Sequence, residues 1–246
     1  MRHGLFLGII ALLALGAARP APAEPLIADL SNHLIAITTG FSGTDVLMFG
    51  ATDGPGDIVV TVRGPATDIA VRRKARVFGV WVNADTLEFG SVPAYYAIAS
   101  NRPIDDFLAP PLQQRQRIGL DNLMISMPMA VPAEVETFRR ALIRVKQRQA
   151  LFGDTVGRVS FLGNQLFRTE LHFPSNVPVG SYLVEVLLIR DGAVVSAQTT
   201  PLVISKIGIG AEIFRFAHTH SFGYGAGAIL GALLLGWTAY LGFRRL

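Results

Sequence analysis

Residues 222–243 form a run of 22 residues without a charged side chain, and Arg244, Arg245 and Leu246 follow it. An α-helix rises about 1.5 Å per residue, so the run covers roughly 33 Å, against a hydrocarbon core of about 30 Å. A helix of this length and composition reads as a membrane span, with Arg244 and Arg245 as its stop and topology signal. All but the last three of the remaining residues precede that span.

The N-terminus carries the complementary pattern. Arg2 and His3 precede an apolar stretch, 5–15, which ends in small residues, and Ala21-Pro22-Ala23 has the A-x-A form of a signal-peptidase site. Basic, apolar and small-residue regions in that order predict a cleaved leader over 1–23, the alternative being an uncleaved N-terminal anchor. The apolar part is short for a bilayer crossing. The mature N-terminus then lies outside the cytoplasm, and the positive-inside rule takes Arg244 and Arg245 to the cytoplasmic face. The expected location is the inner membrane, single-pass, with a periplasmic N-terminal domain and a short cytoplasmic tail, 244–246.

The sequence pI of about 9.8 suggests a polyanion partner, but the placement of charge argues against it. Arg2, Arg19, Arg244 and Arg245 belong to the two ends; removing these four from 22 Lys and Arg leaves 18, against 18 Asp and Glu. The exported region is neutral, so no long-range attraction to nucleic acid follows. There is no cysteine. Disulfides, thiol redox chemistry, thiolate metal sites and C-x-x-C-H haem attachment are excluded with it.

The exported region reads as mainly β. Short apolar runs at 34–38, 45–51, 57–63, 77–83 and 95–100 are divided by turn signals such as Asp53-Gly54-Pro55-Gly56 and Gly64-Pro65. Residues 101–111, with Pro103, Pro110 and Pro111, read as a linker. Pro132 suits a first helical position, and Glu134 and Glu136 favour the N-terminal dipole. Val135, Phe138, Leu142, Val145 and Phe152 recur at helical spacing, with Gly153 as the stop. Arg140, Arg144 and Arg148 take another face, and Glu136 can pair with Arg140. A second β region follows. Gly163-Asn164 and Asp191-Gly192 signal hairpins, and 182–190, apolar on both faces apart from Glu185, suits a central strand covered twice. The expected fold is therefore one or more Ig-like β-sandwich modules with one intervening amphipathic helix, plus a C-terminal transmembrane helix. The expected divisions are 24–105 and 156–206 for the β regions, 106–155 for linker and helix, 207–221 for an interfacial segment and 222–243 for the span. Two modules, or one interrupted sandwich, are both open.

Several strings together resemble a known family: GTDVLMFGA (43–51), DIVVTVRGP (57–65), VRRKARVFGVWVN (71–83), FRRALIRVKQRQALF (138–152) and FPSNVPVGSYLVEVLLIRDG (173–192), then the span and its arginines. They are similar to the alphaproteobacterial putative transmembrane protein family across the whole mature chain. The resemblance implies an exported, single-span inner-membrane protein without an assigned activity. It also implies sulfite-exporter-type permeases as genomic neighbours, which offers a candidate partner. The family pattern has an acidic, Pro-containing stretch before the span, where this chain has Thr219-His220-Ser221.

Few constellations carry chemistry. His218 and His220 form an H-x-H pair that suits copper or zinc, but a site needs more ligands, and Glu212 is the nearest acid. The plain alternative is a polar interfacial segment with Ile213, Phe214 and Phe216 at headgroup depth. Arg72, Arg73, Lys74 and Arg76 form the densest basic run. It suits anionic headgroups or an acidic partner, or else a solvated strand edge. In the span, Gly223, Gly227 and Gly231 recur every four residues, beside a row of Ala228, Ala232 and Gly236. Such rows let helices approach closely. There is no HExxH, G-x-S-x-G or Walker A pattern, and no cofactor is implied. The expected function is a non-enzymatic, membrane-anchored periplasmic binding and assembly module. Its partner is another inner-membrane protein such as a permease, or a second copy through the span. The alternatives are a metal- or anion-binding protein using His33, His172, His218 or His220, and an envelope enzyme whose groups meet only in three dimensions.

Overall fold

The computed structural model describes residues 25–127, 129, 131–208 and 217–243, with the backbone alone for Gly242 and Phe243. The expected leader, the interfacial residues Glu212, Ile213, Phe214 and Phe216, and Arg244 and Arg245 lie outside the described residues.

Among the described residues, twelve strands fall in three sheets. A four-stranded antiparallel sheet has the order β1 (Leu26–Leu30), β3 (Gly43–Thr52), β10 (Leu166–Pro174), β9 (Ser160–Leu162). A six-stranded sheet has the order β2 (Leu34–Ile37), β12 (Ala193–Lys206), β11 (Gly180–Arg190), β4 (Asp57–Arg63), β7 (Tyr96–Ser100), β8 (Gly157–Arg158). Its β2–β12 and β7–β8 pairs are parallel. The third sheet is a two-stranded ribbon of β5 (Ala66–Val77) and β6 (Val80–Pro93). Both β regions expected from the sequence feed both larger sheets: β3 pairs with β10, and β4 with β11.

The alternation of β10 explains the layering. Phe167, Thr169, Leu171 and Phe173 point inward while their neighbours are exposed, the pattern of a sheet wet on one side. Phe167, Leu171 and Phe173 meet Val60, Val62, Val184, Val186 and Leu188 of the six-stranded sheet in one core. The opposite face of that sheet is also covered. Val59, Leu187 and Ile189 pack beneath Phe107, Leu108 and Ile118, which belong to the 101–118 connection. Residues 101–111, expected to be a plain linker, contain a 3₁₀ turn at Ile104–Asp106 and the start of a short helix α1 (Pro110–Gln116). Double coverage is what the apolar run 182–190 predicts, and β11 is the central strand.

At the entry to β11, the Tyr182 hydroxyl donates to the Pro178 carbonyl at 2.6 Å. The Tyr182 ring meets Tyr95 and Phe173. Burial pushes the Tyr95 and Tyr182 hydroxyls well above their ordinary pKa. At the far end of β11, Asp191 (φ 51°) and Gly192 (φ 74°) make the two-residue turn into β12, as the dipeptide signals.

Helix α2 (Pro132–Arg148) begins where Pro132 indicates but ends earlier than expected. Ala150 takes the left-handed conformation (φ 55°), its N–H bonds to Gln147 O, and Leu151 N–H bonds to Lys146 O. The stop therefore precedes Gly153. The cause is tertiary: Leu151 and Phe152 are buried, and backbone bonds join Tyr96 to Leu151 and Gly153. Phe152 is off the helix, and Val145 is exposed rather than part of the apolar stripe. The buried stripe is Val135, Phe138, Leu142 and Ile143 with Arg139 and Lys146. Burial lowers the Lys146 pKa, and its ammonium lies 5.9 Å from the Phe152 ring. Arg140 pairs with Glu136 at 2.8 Å, as its spacing indicates.

The run 77–83, expected to be one strand, is a hairpin tip. Phe78 (φ 47°) and Gly79 (φ 86°) turn the chain between β5 and β6. Two positive φ values make the type I′ geometry that matches strand twist. The ribbon is hydrogen-bonded onward into the sandwich, Gly64 N–H to Tyr95 O and Ala94 N–H to Pro65 O, each at 2.8 Å. Thus β4–β5 and β6–β7 form one long antiparallel arm. Gly180 (φ 145°) seats its root, because a Cβ there would stand 2.8 Å from the Pro65 ring.

Candidate functional site

The last described element is helix α3 (Ser221–Phe243). Its large apolar side chains, Ile229, Leu230, Leu233, Leu234 and Trp237 among them, are exposed. It is the one helix among the described residues that is long and apolar enough to cross a membrane. A Cβ added at Gly223, Gly227, Gly231 or Gly236 would meet no described atom within 4 Å. Among the described residues nothing covers the two small-residue rows, completed by Ala228 and Ala232. Within the apolar run the Thr238 hydroxyl donates to the Leu235 carbonyl at 3.0 Å. His218 and His220 sit exposed just before this helix.

The other candidate ligands lie in local pairs. His33 Nε2 is 2.9 Å from Asp29 Oδ1. His172 Nδ1 is 2.6 Å from Asp45 Oδ1, across the β10–β3 register. Among the described residues, no three of His, Cys, Asp and Glu come together in a way that would hold a metal ion.

The basic run occupies β5. Strand alternation puts Arg72, Lys74 and Arg76 on one face. Arg73 turns to the other, where it pairs with Asp85 at 2.5 Å and lies 5.8 Å from the Phe138 ring of α2. Ile69, Val71, Leu87 and Phe89 of the ribbon's root half pack against α2. Beyond Arg73 the cover by described residues stops. Val77, Phe78, Val80, Trp81 and Val82 are all exposed, Phe78 completely at 102%. The sequence concealed this tip because it carries none of the Asn, Asp or Pro that usually mark a turn.

Two clefts mark the two ends of the six-stranded sheet. One, of about 760 Å³, is lined by Asp57, Arg102, Asp105, Asp106, Arg190 and Asp191 among others. Its cations are already partnered. Arg102 grips both Asp57 oxygens at 2.7 Å and stands 4.9 Å from the Phe107 ring. That bond holds the Asp57 carboxyl below the usual carboxylate range. Arg190 pairs with Asp53 and donates to Pro55 O. The other cleft, of about 610 Å³, lies at the ribbon's root between Pro65, Pro93, Arg117, Leu123, Met124 and Leu183. Arg63 reaches into it. Its Nη1 bonds to Glu185 at 2.9 Å and its Nη2 to the Gln116 carbonyl at 3.1 Å, while its buried Nε has no described partner. The Tyr96 hydroxyl accepts from Gly119 N–H at 2.8 Å, and burial raises its pKa. Tyr96 stands behind the lining, and the wall itself is largely apolar with the Arg63 guanidinium fixed in it, a set suited to binding. Sequence reasoning missed it, since Arg63 and Glu185 are 122 positions apart and meet only because β4 and β11 pair.

A family model described as "Putative transmembrane protein" matches residues 25–245. No curated protein matches the chain.

Proposed function

This chain belongs to the alphaproteobacterial family of putative transmembrane proteins, and from that premise we propose that it is a membrane-anchored binding and assembly module. In this reading the β domain is periplasmic, α3 crosses the inner membrane and the C-terminus is cytoplasmic. The protein serves another inner-membrane protein, a permease being the favoured kind, and works by binding rather than catalysis. The sandwich is read as Ig-like. The strand orders support this, as does Tyr182, whose bond to Pro178 at the entry to β11 matches the tyrosine corner of immunoglobulin-type domains.

The observation that carries the proposal is the open pair of small-residue rows on α3. In lipid no hydrophobic force drives helices together, so close approach over Gly and Ala surfaces supplies the packing. A solitary anchor needs only apolar bulk.

The test places a photocrosslinking residue at Ala228, on the rows, or at Leu233 in the full chain, in its native membrane. The expected result is a discrete crosslinked species from Ala228, and a stoichiometric companion retained through purification in mild detergent. Monomer alone from both positions would sink the proposal. A species of twice the chain mass would identify the companion as a second copy.

A further inference from the structure

We infer that the tip of the β5–β6 ribbon seats in the anionic headgroup layer of the same bilayer that α3 crosses. This rests on the membrane-anchored reading above and adds a second membrane contact to it.

Three observations carry it. The first is topological. Register places the C-terminal end of β12 at one end of the six-stranded sheet, with Ile204 opposite Gly180, Leu183 opposite Arg63, and Arg63 opposite Tyr96. The ribbon departs from that same end, through Gly64-Pro65 and Ala94-Tyr95. So the chain leaves for the membrane where the ribbon leaves the sandwich. The arm from Ala66 to Val77 spans about 40 Å at strand rise. Residues 207–220, which lead to α3, extend at most ~50 Å. The two reaches are commensurate.

The second observation is the chemistry of the tip. Cross-strand pairs share a face, so the pairs Ala75–Val82 and Val77–Val80 make one side aliphatic. The pairs Arg76–Trp81 and Lys74–Asn83 make the other side cationic and aromatic. Phe78 stands alone at the apex. Residues 72–83 carry four cations and no acid. An aliphatic wedge, a tryptophan at interfacial depth and lysine or arginine stems reaching back to phosphate are the parts of an interfacial anchor. A protein partner of matching acidity is the competing occupant, and it lacks the topological argument.

The third is strain. A fully exposed Phe at φ 47° is an unfavourable choice for a turn that Asn or Gly would make more easily. An aromatic kept at that cost points to work done by its side chain.

The chain has two tryptophans, Trp81 and Trp237, so a Trp237→Phe full chain reports from Trp81 alone. It is reconstituted into vesicles of phosphatidylethanolamine and phosphatidylglycerol with brominated acyl chains. Flotation with the vesicles checks the anchor, and Trp81 emission checks the tip. The expected result is a blue shift and several-fold quenching relative to detergent. Replacing Arg72, Lys74 and Arg76 by Ser then weakens the quenching, by about fivefold in partitioning for each cation lost. Protein that floats with an unshifted, unquenched Trp81 overturns this inference and leaves the anchored reading standing. A blue shift without bromine quenching also overturns it, in favour of protein contact. Failure to float refutes the anchor itself.

Discussion

The sandwich and the ribbon are built from the same kind of strand, yet they bury opposite amounts of it. In β4 all five interior residues, Ile58 to Val62, are buried, because the four-stranded sheet covers one face and the 101–118 connection the other. In the ribbon α2 covers one face over the root half, and the last turn has no cover among the described residues. A two-stranded ribbon is marginal alone, so its persistence depends on α2. The contrast separates a scaffold held by its own core from an arm that leaves apolar surface open.

That contrast should appear first in stability. Phe173 is fully buried against Tyr95 and Tyr182, and Phe173→Ala should cost about 3–5 kcal/mol in chemical unfolding of the β domain. A loss under about 1 kcal/mol would mean that the sheets are not held by this core. Tyr182→Phe removes one buried hydroxyl and strands the Pro178 carbonyl, for about 1–2 kcal/mol. The same measurement reads it.

Next comes acid sensitivity. The folded-state pKa of Asp57 is lowered, chiefly by its bond to Arg102. Its contribution is therefore fully present above the unfolded aspartate value of about 3.9 and is lost as pH falls through the lower folded value. Asp57→Asn should cost about 1 kcal/mol at neutral pH and flatten the fall in stability below about pH 4. An unchanged acid slope would show that the Arg102 pair does not survive in solution. The smallest effect belongs to the ribbon. Phe78→Gly relieves the positive φ, offset by glycine entropy, for a net gain of at most ~1 kcal/mol. A loss instead would mean that Phe78 is packed, against the exposure described.

The difference between the two regions is also a difference in legibility. Where burial dictated composition, the sequence was readable. The two-faced apolarity of β11 announced a central strand, Asp191-Gly192 its turn, and the uncharged run the span. The ends of elements were harder. The helix stop moved from Gly153 to Ala150 because Leu151 and Phe152 are drawn into the core, a tertiary pull with no local signal. The ribbon turn was hidden because Phe78-Gly79 lies inside a continuous apolar run. Pairings between distant strands, and with them the Arg63–Glu185 contact, are set by topology, which short-range patterns do not encode. For the candidate site, the small-residue rows and the basic run were visible as sequence. The exposed apex between Arg76 and Trp81 was not.

The absence of cysteine allows one direct measurement. Full chains carrying Phe78→Cys on the tip, or Val195→Cys on the exposed face of β12, are each treated with a membrane-impermeant maleimide, first in detergent and then in anionic vesicles. For molecules whose β domain faces the reagent, the account predicts that Val195→Cys labels equally in both, while Phe78→Cys labels readily in detergent and is protected by the bilayer. Equal labelling of Phe78→Cys in both settings would contradict it.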